Sequence, residues 1–513
     1  MTFWGGSVLV AVICIYLFYR TIKYLRYRMI INKIPGPRAF FLPGNAHQFK
    51  PDPDDYFAQA IGTCSMYLKP RMVRIWITLE PYILIYGAEE AEVIFGSNKH
   101  INKSREYEFL HPWLGLGLLT LPADRWRPRR KLLTPTFHYD ILKDFVDVFN
   151  EQAKIMLTKL EPVVGESVDM YPYITLCALD IICQTAMGRH VNAQDNVDSD
   201  YVKAVIAINR IVHERQKRPW LWPQLLFNLI GEGKLFRWCL KVLHGFTEKV
   251  IEERYDELHK QGGVGNLMNN NAPNTTGGGK RRLAFLDLLL DLVDKKQLPI
   301  QDVRSEVDTF MFEGHDTTST AMNWLLHLLA CTPDVQEKVQ QELKEVFGDE
   351  DRDPSFEDLG KLKYLECCIK EALRLFPSVP IYARTLGEHA SIGGFTVPAG
   401  TQVTILPYML HRDPKHWPDP EVFNPERFFK ENSLGRHPYA YVPFSAGSRN
   451  CIGQRFALME EKTVISWLLR YYELDFVERR DQIRPKAELI LRPCHGVHVR
   501  LSLRRQLHFR TDK

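Results

Sequence analysis

The sequence has no Cys-x-x-Cys pair, no internal repeat and almost no net charge. Its ten cysteines are widely scattered over 513 residues, which excludes a zinc ribbon or a disulfide framework and fits a reducing compartment. A formal net charge of +4 on a chain this long gives no support for nucleic-acid binding. Long charge-free runs are scarce too, since residues 3–19 (FWGGSVLVAVICIYLFY) form the single clear one. What remains is ordinary globular material, 45% hydrophobic and 25% charged, enough to bury a large core.

Residues 3–19 would span roughly 25 Å as a helix, close to the thickness of a hydrocarbon core. Arg20, Lys23, Arg26 and Arg28 follow this run and no Lys or Arg precedes it. A signal peptide would carry its charge before the run and a small-residue cleavage site after it. A retained anchor with the later residues in the cytosol is therefore expected. Residues 34–45 (IPGPRAFFLPGN) hold three prolines, cannot continue the helix, and read as a stiff strut. The expected organisation is an anchor at 1–20, a basic flank and strut at 21–45, and a body at 46–513. Residues 261–282 lack apolar periodicity and read as a flexible insertion within that body. The Asn102 and Asn274 sequons would face the cytosol and stay bare.

Within the body, 71–87 read as a hairpin around Glu80-Pro81, and 392–406 and 497–503 as further strand-rich patches. Helical periodicity dominates from about residue 88 to 380, so the expected class is mainly α with small β-sheets. Residues 302–330 read as one long helix. It contains FMFEGHDTTST at 310–320, two carboxylates and a histidine inside an apolar run. Burying an ionised carboxylate without a partner costs several kcal/mol. Glu313 and Thr317 lie i,i+4, with Thr320 and Ala321 on the same stripe, and Gly314 opens a gap beside it. A mid-helix Thr often only bonds a preceding carbonyl, and an Asp often pairs with a distant cation.

Near the C-terminus stands FSAGSRNCIGQRFA, residues 444–457. Cys451 is flanked by Gly447 and Gly453, with Arg449 two residues before it and a predicted helix at 454–470. A thiolate ligand needs positive charge and N–H donors nearby, and glycines let a flat cofactor approach. A lone cysteine is more often an inert core residue, but the whole FxxGxRxCxG pattern resembles the heme-binding signature of the cytochrome P-450 superfamily. Glu371 and Arg374 match its ExxR motif, and residues 423–428 (FNPERF) match the segment whose Arg427 joins that pair. The resemblance covers the chain from about residue 34 onward.

The resemblance implies a cytochrome P-450 fold and a heme b (iron protoporphyrin IX) with Cys451 as axial ligand. It implies propionate contacts from Trp126, Arg130, Arg384 and Arg449, with Pro128 standing inside the helix that Trp126 and Arg130 would share. Asp316 and Thr317 would supply protons for dioxygen cleavage. Where the superfamily has a small residue this chain has Glu313, and EGHDTT is similar to family 4, the fatty-acid ω-hydroxylases. That likeness implies an ester between Glu313 and a heme methyl, which would remove the buried charge.

The expected partners are an NADPH-cytochrome reductase, cytochrome b5, a lipid bilayer and a hydrophobic substrate, with no nucleic acid. The expected location is the endoplasmic reticulum membrane, with the body on its cytosolic face. Arg127, Arg129 and Lys131 are candidates for a basic docking face. A heme-thiolate isomerase or dehydratase acting on peroxides, a heme-free membrane adaptor, and sterol, terpenoid or xenobiotic substrates are the alternatives.

Overall fold

The polar run that looked misplaced sits on the spine of the molecule. In the structure, a computed structural model, residues 2–196, 199–260 and 284–506 are described; the insertion expected at 261–282, with the Asn274 sequon, lies outside them. The long helix runs Ile300–Ala330 and is buried on nearly every side. Its hydroxyls turn back on their own helix: Thr309, Thr317 and Thr318 donate to the carbonyls of Ser305, Glu313 and Gly314 at 2.7, 2.7 and 2.9 Å. Such bonds let short polar side chains lie inside an apolar interior without an orphaned donor. The helix packs most extensively against Met170–Ala186. Gly314 serves that contact: a Cβ there would meet Ile182 Cδ1 at 2.5 Å. The gap predicted at Gly314 is thus filled by Ile182.

The fold is mainly helical with small sheets, as the periodicity predicts. The largest sheet has the strand order Met72–Ile77, Glu80–Ile85, Gln402–Ile405, Tyr382–Thr385, Asn102–Lys103. Its first two strands form the expected hairpin, but Pro81 pairs with Trp76 and the turn falls at Thr78-Leu79. Proline has no N–H to donate, and an edge pair of this kind tolerates it. His498–Leu503 supplies the third expected strand patch.

The N-terminal helix runs Thr2–Ile31 and does not stop at residue 20. Val8–Ile31 is long and apolar enough to cross a membrane and lies outside the packed body. Its end is tied down. Ile31 and Ile34 are buried, Trp76 Nε1 donates to Asn32 Oδ1 at 3.1 Å, and the Arg28 guanidinium stacks over Trp76. The strut then pairs with the sheet, Arg74 N–H donating to Pro35 O and Asn45 N–H to Trp76 O. Proline fixes the strut's path and these bonds fix its place.

Candidate functional site

Two helices, two short strands and the cysteine loop bring Cys451, Glu313, Arg130, Arg384 and Arg449 into one electrostatic neighbourhood. Cys451 sits just before the helix Gln454–Tyr471, its N–H donating to Phe444 O at 2.9 Å. Gly447 has φ +71° and lies so close to Phe95 that a Cβ would strike the Phe95 carbonyl, so this turn needs glycine. Cys451 is solvent-accessible yet densely surrounded by protein, as a residue facing an interior space is. Burial, with the Glu313 carboxylate across the cavity, pushes the thiol up to about 12, while the Gly453 N–H and Arg130 act to lower it.

Trp126 and Arg130 do share a helix, Ala123–Leu133, which begins at Ala123 and carries Pro128 inside it. The Arg130 guanidinium donates to Asn450 O at 2.8 Å and Asn450 Oδ1 at 3.0 Å. Asn102 Oδ1 caps the start of this helix by accepting the Ala123 N–H. Arg449 is buried, stacks over Trp126 and donates to the carbonyls of Ile101, Leu118, Leu119 and Leu121. Burial and then the neighbouring Arg384 lower it to about 9. Arg384 lies on Tyr382–Thr385 and among the described residues bonds the carbonyl of Ala383 and the Tyr107 hydroxyl.

Sequence reading missed a fourth cation. Lys103 pairs directly opposite Arg384 across the two short strands and lies over the Tyr107 ring. Like charges directly opposite in a sheet repel. Burial, Arg384 and Arg449 hold the Lys103 ammonium well below its usual value. A two-residue strand carries no periodicity, so nothing local in the sequence marks Lys103. Among the described residues, none of Lys103, Arg130, Arg384 and Arg449 makes a salt bridge to a carboxylate. Glu313 is the carboxylate whose charge reaches Lys103, Arg130 and Arg449; burial raises it to about 7, with Lys103 pulling against that. An excess of enclosed positive charge beside an accessible thiol fits a dianionic cofactor such as heme.

Asp316 lies elsewhere on the helix surface. Its oxygens both accept from Arg492 Nη2 at 2.6 Å, and Oδ2 accepts from Asn209 Nδ2 at 3.1 Å. Burial opposes the Arg492 charge, but Asp316, Tyr171 and Glu488 around it raise the guanidinium above its usual value. Thr317 is half-buried, and its carbonyl accepts the Ser378 hydroxyl at 2.9 Å. The Leu491 N–H donates to Ser378 O, so residues 491 and 492 embrace the Asp316-Thr317 step from outside. His315 is a satisfied core residue, bonded to Met311 O.

The Glu371–Arg374 pair is fully buried, bidentate at 2.7 and 2.8 Å. Arg374 also donates to His411 O, Pro420 O and Val422 O, and Arg427 approaches Glu371 at 3.4 Å. This cluster locks the segment before the cysteine loop. On the outer face Arg127 and Lys131 are exposed. Arg129 is turned inward to Asp302 and Glu306, which removes it from the docking face expected of it.

Comparison with known proteins agrees with this geometry. The family model described as Cytochrome P450 matches residues 34–499. The chain is 48% identical to human "Cytochrome P450 4V2" over 98% of this chain and 96% of that protein. It is 49% identical to "Cytochrome P450 4c3" of Drosophila melanogaster, over 94% and 91%. The solved "cytochrome P450DA heme domain" superposes with a TM-score of 0.76 at 23% identity, covering 92% of this chain and 98% of that one. The chain therefore belongs to the cytochrome P450 family and is a heme-thiolate monooxygenase.

Proposed function

We propose that the Cys451 thiolate would ligate the iron of heme b and that Trp126, Arg130, Arg384 and Arg449, joined by Lys103, would hold its propionates. The observation that carries this is the charge imbalance: four cations without a carboxylate partner among the described residues lie near an accessible cysteine. The bound heme supplies the dioxygen and one-electron chemistry that side chains lack. The protein's share is positional. The Gly453 N–H and the start of the helix Gln454–Tyr471 favour the Cys451 thiolate. Thr317 would act as proton donor by releasing the hydroxyl bond it makes to the Glu313 carbonyl, and Asp316, swung away from Arg492, would pass it a proton taken up from water.

Glu313 would hold the heme covalently, as an ester between its carboxylate and a heme methyl. The bond ends the cost of a buried charge and stiffens one wall of the substrate pocket. A stiff wall matters because a terminal methyl is harder to oxidise than the methylene beside it, so terminal selectivity depends on tight positioning. The substrate class is fatty acids, hydroxylated at or near the terminal carbon; the family 4 spelling around Glu313 and the family 4 relatives support it.

Electrons come from an NADPH-cytochrome reductase, assisted by cytochrome b5, docking on the face that exposes Arg127 and Lys131. The location is the endoplasmic reticulum membrane with the body in the cytosol. Besides the anchor, Leu225, Leu229 and Ile230 stand exposed on Gln224–Ile230, and Phe41 and Leu42 on the strut, further apolar surface for a bilayer.

Reconstitution with the reductase and fatty acids of several lengths tests this. Terminal hydroxylation that requires NADPH and dioxygen is expected; product from lipid peroxides without either points to the isomerase alternative. After turnover, heme should resist extraction by acid and organic solvent. Glu313→Gly should release it while keeping the red-shifted ferrous–carbon monoxide band, and Cys451→Ala should abolish that band.

A further inference from the structure

A buried ion cluster joins the long helix to the cysteine side of the cavity, and the proton pair makes no use of it. Glu306 is fully buried and lies two turns before Glu313 on the same helix face. It is gripped from two directions. Arg129 Nη1 donates to its Oε1 at 2.5 Å, and the Leu118 N–H donates to its Oε2 at 3.0 Å. The second Arg129 nitrogen, Nη2, donates to Asp302 Oδ2 at 2.5 Å, with the half-exposed Arg125 3.9 Å from that same oxygen.

Both grips lead to residues beside Cys451. Arg129 precedes Arg130, which holds Asn450, the residue next to Cys451. Leu118 belongs to a loop whose carbonyls at 118, 119 and 121 are clamped by Arg449. That loop lies directly on the long helix. Gly115, at φ +56°, would strike Ser305 Oγ if it carried a Cβ, and Gly117 would strike Thr309 Oγ1. One buried carboxylate thus ties the long helix to both structures that flank the cysteine loop.

Adhesion alone does not account for a charge pair here. Taking both ions out of water costs several kcal/mol each, and apolar residues of similar size hold helices together equally well. What the pair adds is register. The planar guanidinium fork meets two carboxylates one turn apart, Asp302 and Glu306, and that match exists at one axial setting of the helix. A slip of one residue moves the helix by roughly 1.5 Å and breaks both bonds.

We infer that Arg129 and Glu306 are positioning residues for the oxygenation. They fix the height of the long helix against the Cys451 side, and through it the placement of Glu313 and Thr317 in the cavity. This rests on the cavity being the heme site.

The test uses heme-loaded full-length protein with its reductase. Arg129→Met with Glu306→Leu removes both charges together and keeps the contact apolar. Two readouts follow: the carbon monoxide stretching frequency of the ferrous complex, and the division of NADPH electrons between hydroxylated product and hydrogen peroxide. The double variant should keep the thiolate band, shift or split the stretching mode, and lose roughly 10-fold in product per NADPH. Where it fails to load heme, Arg129→Lys keeps the charge without the fork and is read the same way. A variant with wild-type stretch and wild-type coupling overturns the inference and leaves a purely structural pair. Absence of the thiolate band in the wild-type protein would instead overturn the proposed heme site, so the two failures are distinguishable.

Discussion

Two carboxylates three residues apart on one helix live in opposite electrostatic worlds. Asp316 is closed off: Arg492 and Asn209 satisfy it, and Tyr171 stacks under the guanidinium. Glu313 lies in the field of Lys103, Arg130 and Arg449, with Arg384 beside them, and among the described residues it makes no salt bridge to any of the four. On the first side, charge is balanced within the chain. On the second, the chain carries positive charge that it leaves unneutralised, and such an excess persists only where something anionic completes it. The difference separates what the protein does for itself from what it prepares for a cofactor.

The largest way to break that comparison is Arg492→Leu. It strands the Asp316 carboxylate in a buried site, and loss of one partner of a buried pair costs about 3–5 kcal/mol. Denaturant unfolding should show a loss of that size, and adding Asp316→Asn should recover part of it. An Arg492→Leu protein as stable as the wild type would mean that Asp316 is not held in a closed network.

A third carboxylate on the same helix sharpens the contrast. Asp308 is buried with no hydrogen-bonded cation; Arg304 and His244 stand 3.9 and 3.8 Å away. Burial pushes it up to about 7. A carboxyl whose folded pKa is raised stays protonated while its unfolded counterpart ionises, so folding loses stability as pH rises from the unfolded value toward 7. A shift of roughly three units corresponds to about 4 kcal/mol at pH 8. An asparagine escapes that penalty but buries an amide with the same poor partners, costing about 2 kcal/mol. Asp308→Asn should therefore stabilise the protein by about 2 kcal/mol at pH 8 and lose that advantage below pH 5. A pH-independent difference between the two proteins would show that Asp308 is ionised throughout.

Sequence reading reached the cysteine loop, the Glu371–Arg374 pair and the long helix because each is written within a few residues. The family resemblance implied a helix shared by Trp126 and Arg130, which Pro128 left open, and a helix beginning at Ala123 accommodates that proline. The partners of these residues were not legible. Arg492 reaches Asp316 across 176 residues and Asn209 across 107, and no local pattern announces either. Arg129 was read as surface charge because its neighbours Arg127 and Lys131 are; that it points inward follows from where Asp302 and Glu306 lie. Gly314 was legible as a gap beside the Glu313–Thr317 stripe, but not that Ile182 is what fills it. Short-range signals named the chemistry, and long-range contacts decided which charges were left over.

Lys103 gives the smallest effect and the most direct test of the open side. It stands opposite Arg384 in a two-residue strand, and relieving like charges in such a pair is worth about 0.2–1 kcal/mol. Lys103→Met should therefore make the heme-free protein slightly more stable to urea. The same change removes a cation that would face the propionates, so the heme-loaded protein should become less stable and lose heme faster to a scavenging apo-globin. Opposite signs in the two states are what unspent charge predicts. Destabilisation of both states alike would mean that Lys103 belongs to the balanced side of the molecule, with the packing of its stem over Tyr107 as its contribution.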